Sequence, residues 1–203
     1  MAGDFFDVAL RQRGCREYLP EQVPDRDLER MVEAATHAPS AENSQPWEFI
    51  VVRDACVRGV LAAEARRTWE EGRGKVDATL GSGILRDVDQ FVARGFGGAT
   101  TLVVLGVDVC RVHERLAGCS VYPAAQNLML AAAAMGYGSI LTLFPAPSAI
   151  LGLPSTVMTC GIVPVGRPLR AMGRPRREPA ATKMHRDRYG SPWADSAPTP
   201  AAQ

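Results

Sequence analysis

Residues 121–135, Val-Tyr-Pro-Ala-Ala-Gln-Asn-Leu-Met-Leu-Ala-Ala-Ala-Ala-Met, are apolar on nearly every side of a helix. A helix of that kind has little to offer to water, so the rest of the chain must bury it. Pro123 suits only its first turn, because proline lacks the N–H that an interior position donates. Gly136 or Gly138 suits its C-terminal cap. With 203 residues, 46% apolar and 22% charged, the chain reads as one ordinary domain with a core of its own.

Other elements follow from pattern. Asp4 caps a short helix carrying Phe5, Val8, Ala9 and Gln12, which Gly14 ends. Leu28, Met31, Val32 and Ala35 recur at helical spacing after Pro24-Asp25, and Pro39 stops that helix near His37. Contiguous apolar residues predict strands at 47–53 and 100–107, buried on both faces. Further strands are expected at 139–144 and 157–165, with a helical turn at 147–152. Residues 54–95 read as helices that the charged, glycine-bearing stretch 66–77 interrupts as a mobile excursion. Alternating helices and strands predict a sheet covered on both faces.

Charge excludes some function classes and points to one feature. The formal net charge is only +1, no signature of a nucleic-acid or membrane-surface protein. Residues 166–190 nevertheless carry +6, against −5 for the remainder. That stretch is either a solvated basic tail or a site for something anionic. Beyond Tyr189 the Ser/Ala/Pro-rich residues through 203 are expected to be disordered. Five cysteines and three histidines show no zinc spacing, so no metal site is expected. Residues 1–14 have no apolar core of signal-peptide length, and no run reaches that of a membrane helix. A reduced, cytoplasmic protein is the expectation.

Nucleophile-elbow, Walker and dinucleotide-binding motifs are absent from the sequence. Three polar segments stand out instead. Arg11, Arg13 and Arg16 cluster at a helix end, as surface charge or as forks for phosphate oxygens. Pro39-Ser40-Ala41-Glu42-Asn43-Ser44-Gln45-Pro46 precedes Trp47 and a buried strand. It is either a self-satisfied structural loop or a rigid polar edge for a planar heterocycle. Gln126 and Asn127 place two amides on an apolar helix, where a satisfied core network is the ordinary explanation.

Taken in order, these segments resemble the FMN-dependent nitroreductase family. Arg13-Gly-Cys-Arg16-Glu-Tyr18 is similar to its opening Arg-Arg-Ser-x-Arg-x-Phe. Ala38-Pro-Ser-Ala-Glu-Asn-Ser-Gln-Pro-Trp47 is similar to its Ala-Pro-Ser-x-x-Asn-x-Gln-Pro-Trp signature. Ala125-Gln-Asn-Leu128 with Gly136-Tyr-Gly138 resembles its later helix-to-strand signature. Leu151-Gly-Leu-Pro154, Val163-Pro-Val-Gly-Arg-Pro168 and His185-Arg-Asp-Arg-Tyr-Gly190 also match. The resemblance spans about residues 8–190, taken as one domain. Gln12 stands where the family commonly has arginine, and Gly14 where it has serine. Residues 54–98, which shape the substrate pocket in the family, match no pattern.

The resemblance implies an α+β, three-layer fold with a central mixed sheet flanked by helices, an intertwined homodimer and FMN at the subunit interface. Cofactor contacts are then expected from Arg11, Arg13, Gly14, Arg16, Pro39, Ser40, Ala41, Asn43, Gln45, Thr142, Leu143, Arg176 and Arg177. The arginines would hold the phosphate, while Pro39, Ser40 and Asn43 reach the flavin from the other subunit. A backbone N–H near Leu143 and Phe144 would meet flavin N5, with no catalytic side chain required. The basic 166–190 arm would wrap the partner. The implied activity is ping-pong hydride transfer from NAD(P)H through FMN to a small electron-poor acceptor, such as a nitroaromatic or quinone. Two alternatives differ in class. One is an FMN-dependent dehydrogenase, desaturase or flavin-consuming relative acting on a metabolite. The other is a non-enzymatic nucleic-acid binder using residues 166–190, against which stands the lack of an aromatic stacking platform.

Overall fold

A computed structural model describes residues 4–76 and 81–193. Its helices are α1 (Phe5–Arg11), α2 (Asp25–Thr36), α3 (Ala55–Val76), α4 (Ser82–Ala93), α5 (Ala117–Ala134) and α6 (Ser148–Leu151). Its strands are β1 (Trp47–Val52), β2 (Thr101–Asp108), β3 (Gly138–Ser139) and β4 (Val157–Gly166). They form one sheet in the order β1-β2-β4-β3, with every strand pair antiparallel. The parallel component of the expected mixed sheet is a single bridge, Gly14 to Ser139.

Alternation along β2 explains the layers. Val103, Leu105 and Val107 face one way and pack with α2 and α5 through Met31, Ala35, Val121, Leu128 and Ala132. Leu102 and Val104 face the other way and pack with Leu61, Ala65, Phe91 and Phe96 on the α3–α4 side. Helices therefore cover both faces, and the fold is α+β in three layers. Of the three long strands, β2 alone is buried along almost its whole length. β1 departs from the expectation of two buried faces, since it is an edge strand with Glu48 and Val51 exposed.

Three further differences have local causes. α5 starts at Ala117, four residues before the expected stretch, so Pro123 lies in its second turn rather than its first. Ala117 and Ser120 are buried with the rest of that helix, and tertiary packing outweighs the lost donor. The strand expected over 139–144 is interrupted after Ser139. The pairing Thr142 to Ile162 keeps the β3–β4 register, but Ile140 would face Pro164, which has no N–H to give. Residues 66–76 form no excursion, because α3 runs through Gly72 and Gly74 to Val76. Arg67 pairs with Glu64 and Glu71 along it, and Arg73 reaches Asp89 on α4 at 3.0 Å. Asp77 lies outside the described residues.

Past β4 the chain leaves the body as an arm, with almost every residue from Arg167 onward exposed. Ser191–Trp193 fold back on it, Trp193 O accepting from Arg186 Nη2 at 2.8 Å. The remainder of the tail expected to be disordered, residues 194–203, lies outside the described residues.

Candidate functional site

α1 releases the chain at Gln12, and the following loop is fastened at four points. Cys15 N donates to Ser139 O at 3.0 Å and Tyr18 N to Gly97 O at 3.1 Å. Leu19 N donates to Arg167 O at 2.9 Å, and Leu169 N to Glu17 O at 3.0 Å. The buried Tyr18 hydroxyl donates to Cys15 O at 2.7 Å and to Pro164 O at 3.3 Å. Burial pushes the Tyr18 phenol and the Cys15 thiol above their ordinary pKa values, so both stay protonated.

This fastening sets Arg13 and Arg16 at the mouth of a cleft of about 250 Å³. Its other walls are Asp87 and Gln90 of α4 and residues 170–173 of the arm. An adjoining cleft of about 320 Å³ is lined by Arg11, Gln12 and Arg13 together with Tyr137 and Ser139. Arg11 is paired with Asp7 at 2.9 Å. Gln12 turns its amide toward Met129 Sδ at 3.9 Å. Arg13 donates weakly to Gly173 O at 3.4 Å. Gly14 lines the first cleft, where a Cβ would come within 2.9 Å of Ile140 Cδ1. Arg176 and Arg177 lie farther along the arm and line neither cleft.

The loop between α2 and β1 is not simply extended. Residues Ala41–Asn43 form a 3-10 turn, and Glu42, Asn43 and Gln45 all have left-handed backbone, with φ of 55°, 54° and 48°. Such conformations cost energy in residues other than glycine and persist only where neighbours impose them. Here Ser40 Oγ accepts from Gln45 N at 3.0 Å, and Gln45 Nε2 donates to Asn43 Oδ1 at 3.2 Å. Ser120 Oγ on α5 accepts from Ala41 N at 3.1 Å. Sequence reasoning missed Ser120; its signal was a hydroxyl on the otherwise apolar start of α5. Pro39 is exposed at the loop's entry, and no residue of 38–47 lines either arginine cleft. Within one chain, the polar loop and the arginines therefore belong to separate surfaces.

The third segment follows β3. Thr142 exchanges two backbone hydrogen bonds with Ile162, each 2.9 Å. A Cβ at Gly161 would lie 2.7 Å from Thr142 O, so that close approach depends on glycine. Beyond the clamp, Leu143 is 70% exposed. Neither the Leu143 nor the Phe144 N–H has an acceptor among the described residues. Phe144 packs edge-on against Phe96 at 6.3 Å. Of the two helical amides, Asn127 Nδ2 donates to Ala34 O at 3.1 Å and ties α5 to α2, while Gln126 is exposed.

Chemically, the surface offers guanidinium forks, a rigid polar loop and clamped backbone with free N–H donors. Among the described residues no group of three His, Cys, Asp or Glu could hold a metal ion. No described helix is long and apolar enough to cross a membrane.

Residues 9–167 match the family model described as Nitroreductase family. A Thermus thermophilus protein named NADH dehydrogenase is 30% identical over 177 residues, covering 79% of this chain and 85% of that protein. An iodotyrosine deiodinase of Thermotoga neapolitana is 27% identical, covering 80% and 88%. Among solved structures, a nitroreductase with bound FMN from Desulfitobacterium hafniense superposes with a TM-score of 0.68 at 22% identity, covering 89% and 96%. That likeness is one of fold.

Proposed function

The chain belongs to the Nitroreductase family, and on that premise we propose an FMN-dependent oxidoreductase that passes reducing equivalents from NAD(P)H to a small electron-poor acceptor. The observation that carries the reading is the fastened loop presenting Arg13 and Arg16 to a cleft whose opposite wall is the basic arm. This donor set suits a phosphate monoester, since guanidinium forks match its oxygens in bidentate fashion. Bound FMN would supply hydride chemistry between the nucleotide and the acceptor.

The chain's own residues orient and neutralise. Arg13 and Arg16 hold the phosphate, with Arg11 and Gly14 beside them. Arg176 and Arg177, farther along the arm, add to its positive charge. The Leu143 and Phe144 N–H groups, without an acceptor among the described residues, would be available to the polar edge of a flavin ring, and the clamp at Thr142 fixes the backbone before them. Such preorganised donors would favour negative charge on a bound ring. Pro39, Ser40, Ala41, Asn43 and Gln45 complete the site from a second copy. Their separation from the arginine clefts within one chain supports that arrangement. The nucleotide leaves before the acceptor enters, in a ping-pong order, and no side chain serves as acid or base.

The test is a visible spectrum of the protein after FMN is added and free flavin removed, followed by anaerobic titration with NADH or NADPH. A stoichiometric flavin band that bleaches with either nucleotide is expected. A bound flavin that neither nucleotide reduces would favour oxidation of a metabolite instead, and a protein that retains no flavin would overturn the reading.

A further inference from the structure

The arginine cleft has a member that sequence reasoning did not place there. Residues 17–19 and 167–169 form a short antiparallel ladder about the Tyr18–Pro168 pair. Continued one step beyond its last bond, that register would bring Arg170 toward Arg16, and the two line the same cleft. Like charges brought together across such a ladder are destabilising. Arg13 lines that cleft too. Two carboxylates also line it, Glu17 and Asp87. Glu17 Oε1 is paired with Arg94 at 3.2 Å, and its Oε2 stands 3.8 Å from Arg170 Nε. At that distance the contact is an ion pair rather than a hydrogen bond, and the Arg170 side chain is 81% exposed. Arg16 has no carboxylate within ion-pair distance among the described residues. The end of α1 contributes few competitors: Arg11 is held by Asp7, Gln12 turns toward Met129, and Gly14 has no side chain.

We propose that Arg170 is a third anion ligand, which joins Arg13 and Arg16 on the FMN phosphate and supplies the donors that Gln12 and Gly14 do not. The proposal rests on the flavin reading above.

Flavin fluorescence quenching with FMN and with riboflavin tests it, on the full chain and on Arg170→Ala, Arg170→Lys and Arg174→Ala. Arg174 lies on the same arm, is paired with Asp7 and lines neither cleft. Arg170→Ala should raise the FMN dissociation constant about tenfold or more, as expected for a lost charge-assisted contact. Riboflavin binding should stay unchanged, Arg170→Lys should restore part of the loss, and Arg174→Ala should bind FMN as the full chain does. Unchanged FMN affinity in Arg170→Ala, with the full chain binding FMN normally, overturns the proposal. So does an equal loss for FMN and riboflavin, which would report a displaced arm rather than a phosphate contact. Failure of the unmodified chain to bind either flavin would instead overturn the flavin reading itself.

Discussion

Gly97 lies closer to the arginine loop than any side chain would permit. Its φ is +67°, and a Cβ would fall 2.1 Å from Arg16 O, while its own carbonyl holds Tyr18 N. Gly97→Ala should therefore cost at least about 2 kcal/mol and loosen FMN binding. Gly59→Ala, with nothing within 4 Å, should be neutral or stabilising. Thermal melts of the two variants check the contrast. Arg16→Ala should raise the FMN dissociation constant about tenfold or more, whereas Arg66→Ala, whose guanidinium donates to Ala93 O, should not; fluorescence titration separates them. Cys15 and Tyr18 add a pH dependence. Their folded pKa values are raised by burial, so the folded state holds these protons more tightly than the unfolded chain does. Their contribution is fully present at neutral pH and is lost as pH rises from the ordinary thiol value near 9 upward. Denaturant midpoints should fall over that range, and less steeply in Cys15→Ala. At this scale Arg13, Arg16 and the polar loop were legible because they are contiguous motifs. Gly97 was not, because its constraint comes from a loop some eighty positions away.

Among the elements, the end of α3 is what sequence reasoning misread, while the helices on either side of residues 66–76 agree with it. Gly72 and Gly74 argue against a helix interior, yet the helix runs through both. Asp89 accepts from Trp69 Nε1 at 2.8 Å and from Arg73 Nε and Nη2 at 3.0 and 3.1 Å, and so ties the end of α3 to α4. These bonds, the Arg73 pair first, hold the Asp89 carboxyl below its ordinary pKa. Both side chains are over a third exposed, so the network is worth no more than about 1 kcal/mol. Asp89→Ala should leave the global melting temperature almost unchanged but speed amide hydrogen exchange in residues 66–76. Acid should do the same to the unmodified chain: the carboxylate's contribution is present above its ordinary pKa and lost as pH falls through the lowered one. Unaltered exchange in the variant would mean that apolar packing alone holds the end of α3.

For the whole molecule, the surplus of exposed apolar surface is informative. Phe5 and Phe6 on α1 are 64% and 69% exposed, and Tyr189 on the arm is 93% exposed. A lone chain gains nothing by presenting three large aromatic residues to water, whereas a second copy would bury them. The arm also leaves the body beside β3, at one end of the sheet, while β1 at the other end has no strand on its outer side among the described residues. The protein should sediment as a dimer, and a chain ending at Gly173 should dissociate and lose FMN affinity together. Sedimentation velocity with flavin absorbance reads both. A truncated chain that stays dimeric would place the interface on α1 and the body rather than on the arm.

The amino-acid sequence by itself determined the buried α5, the amphipathic α2, the apolar strands and the polar and arginine segments, because periodicity and turn chemistry act over a few residues. It could not bring Arg170 into the cleft of Arg16, set Pro164 against Ile140, or carry α3 through two glycines. Each of those depends on which distant segment supplies the neighbour. Hydrogen-bond register and packing decide that only when the chain has closed on itself.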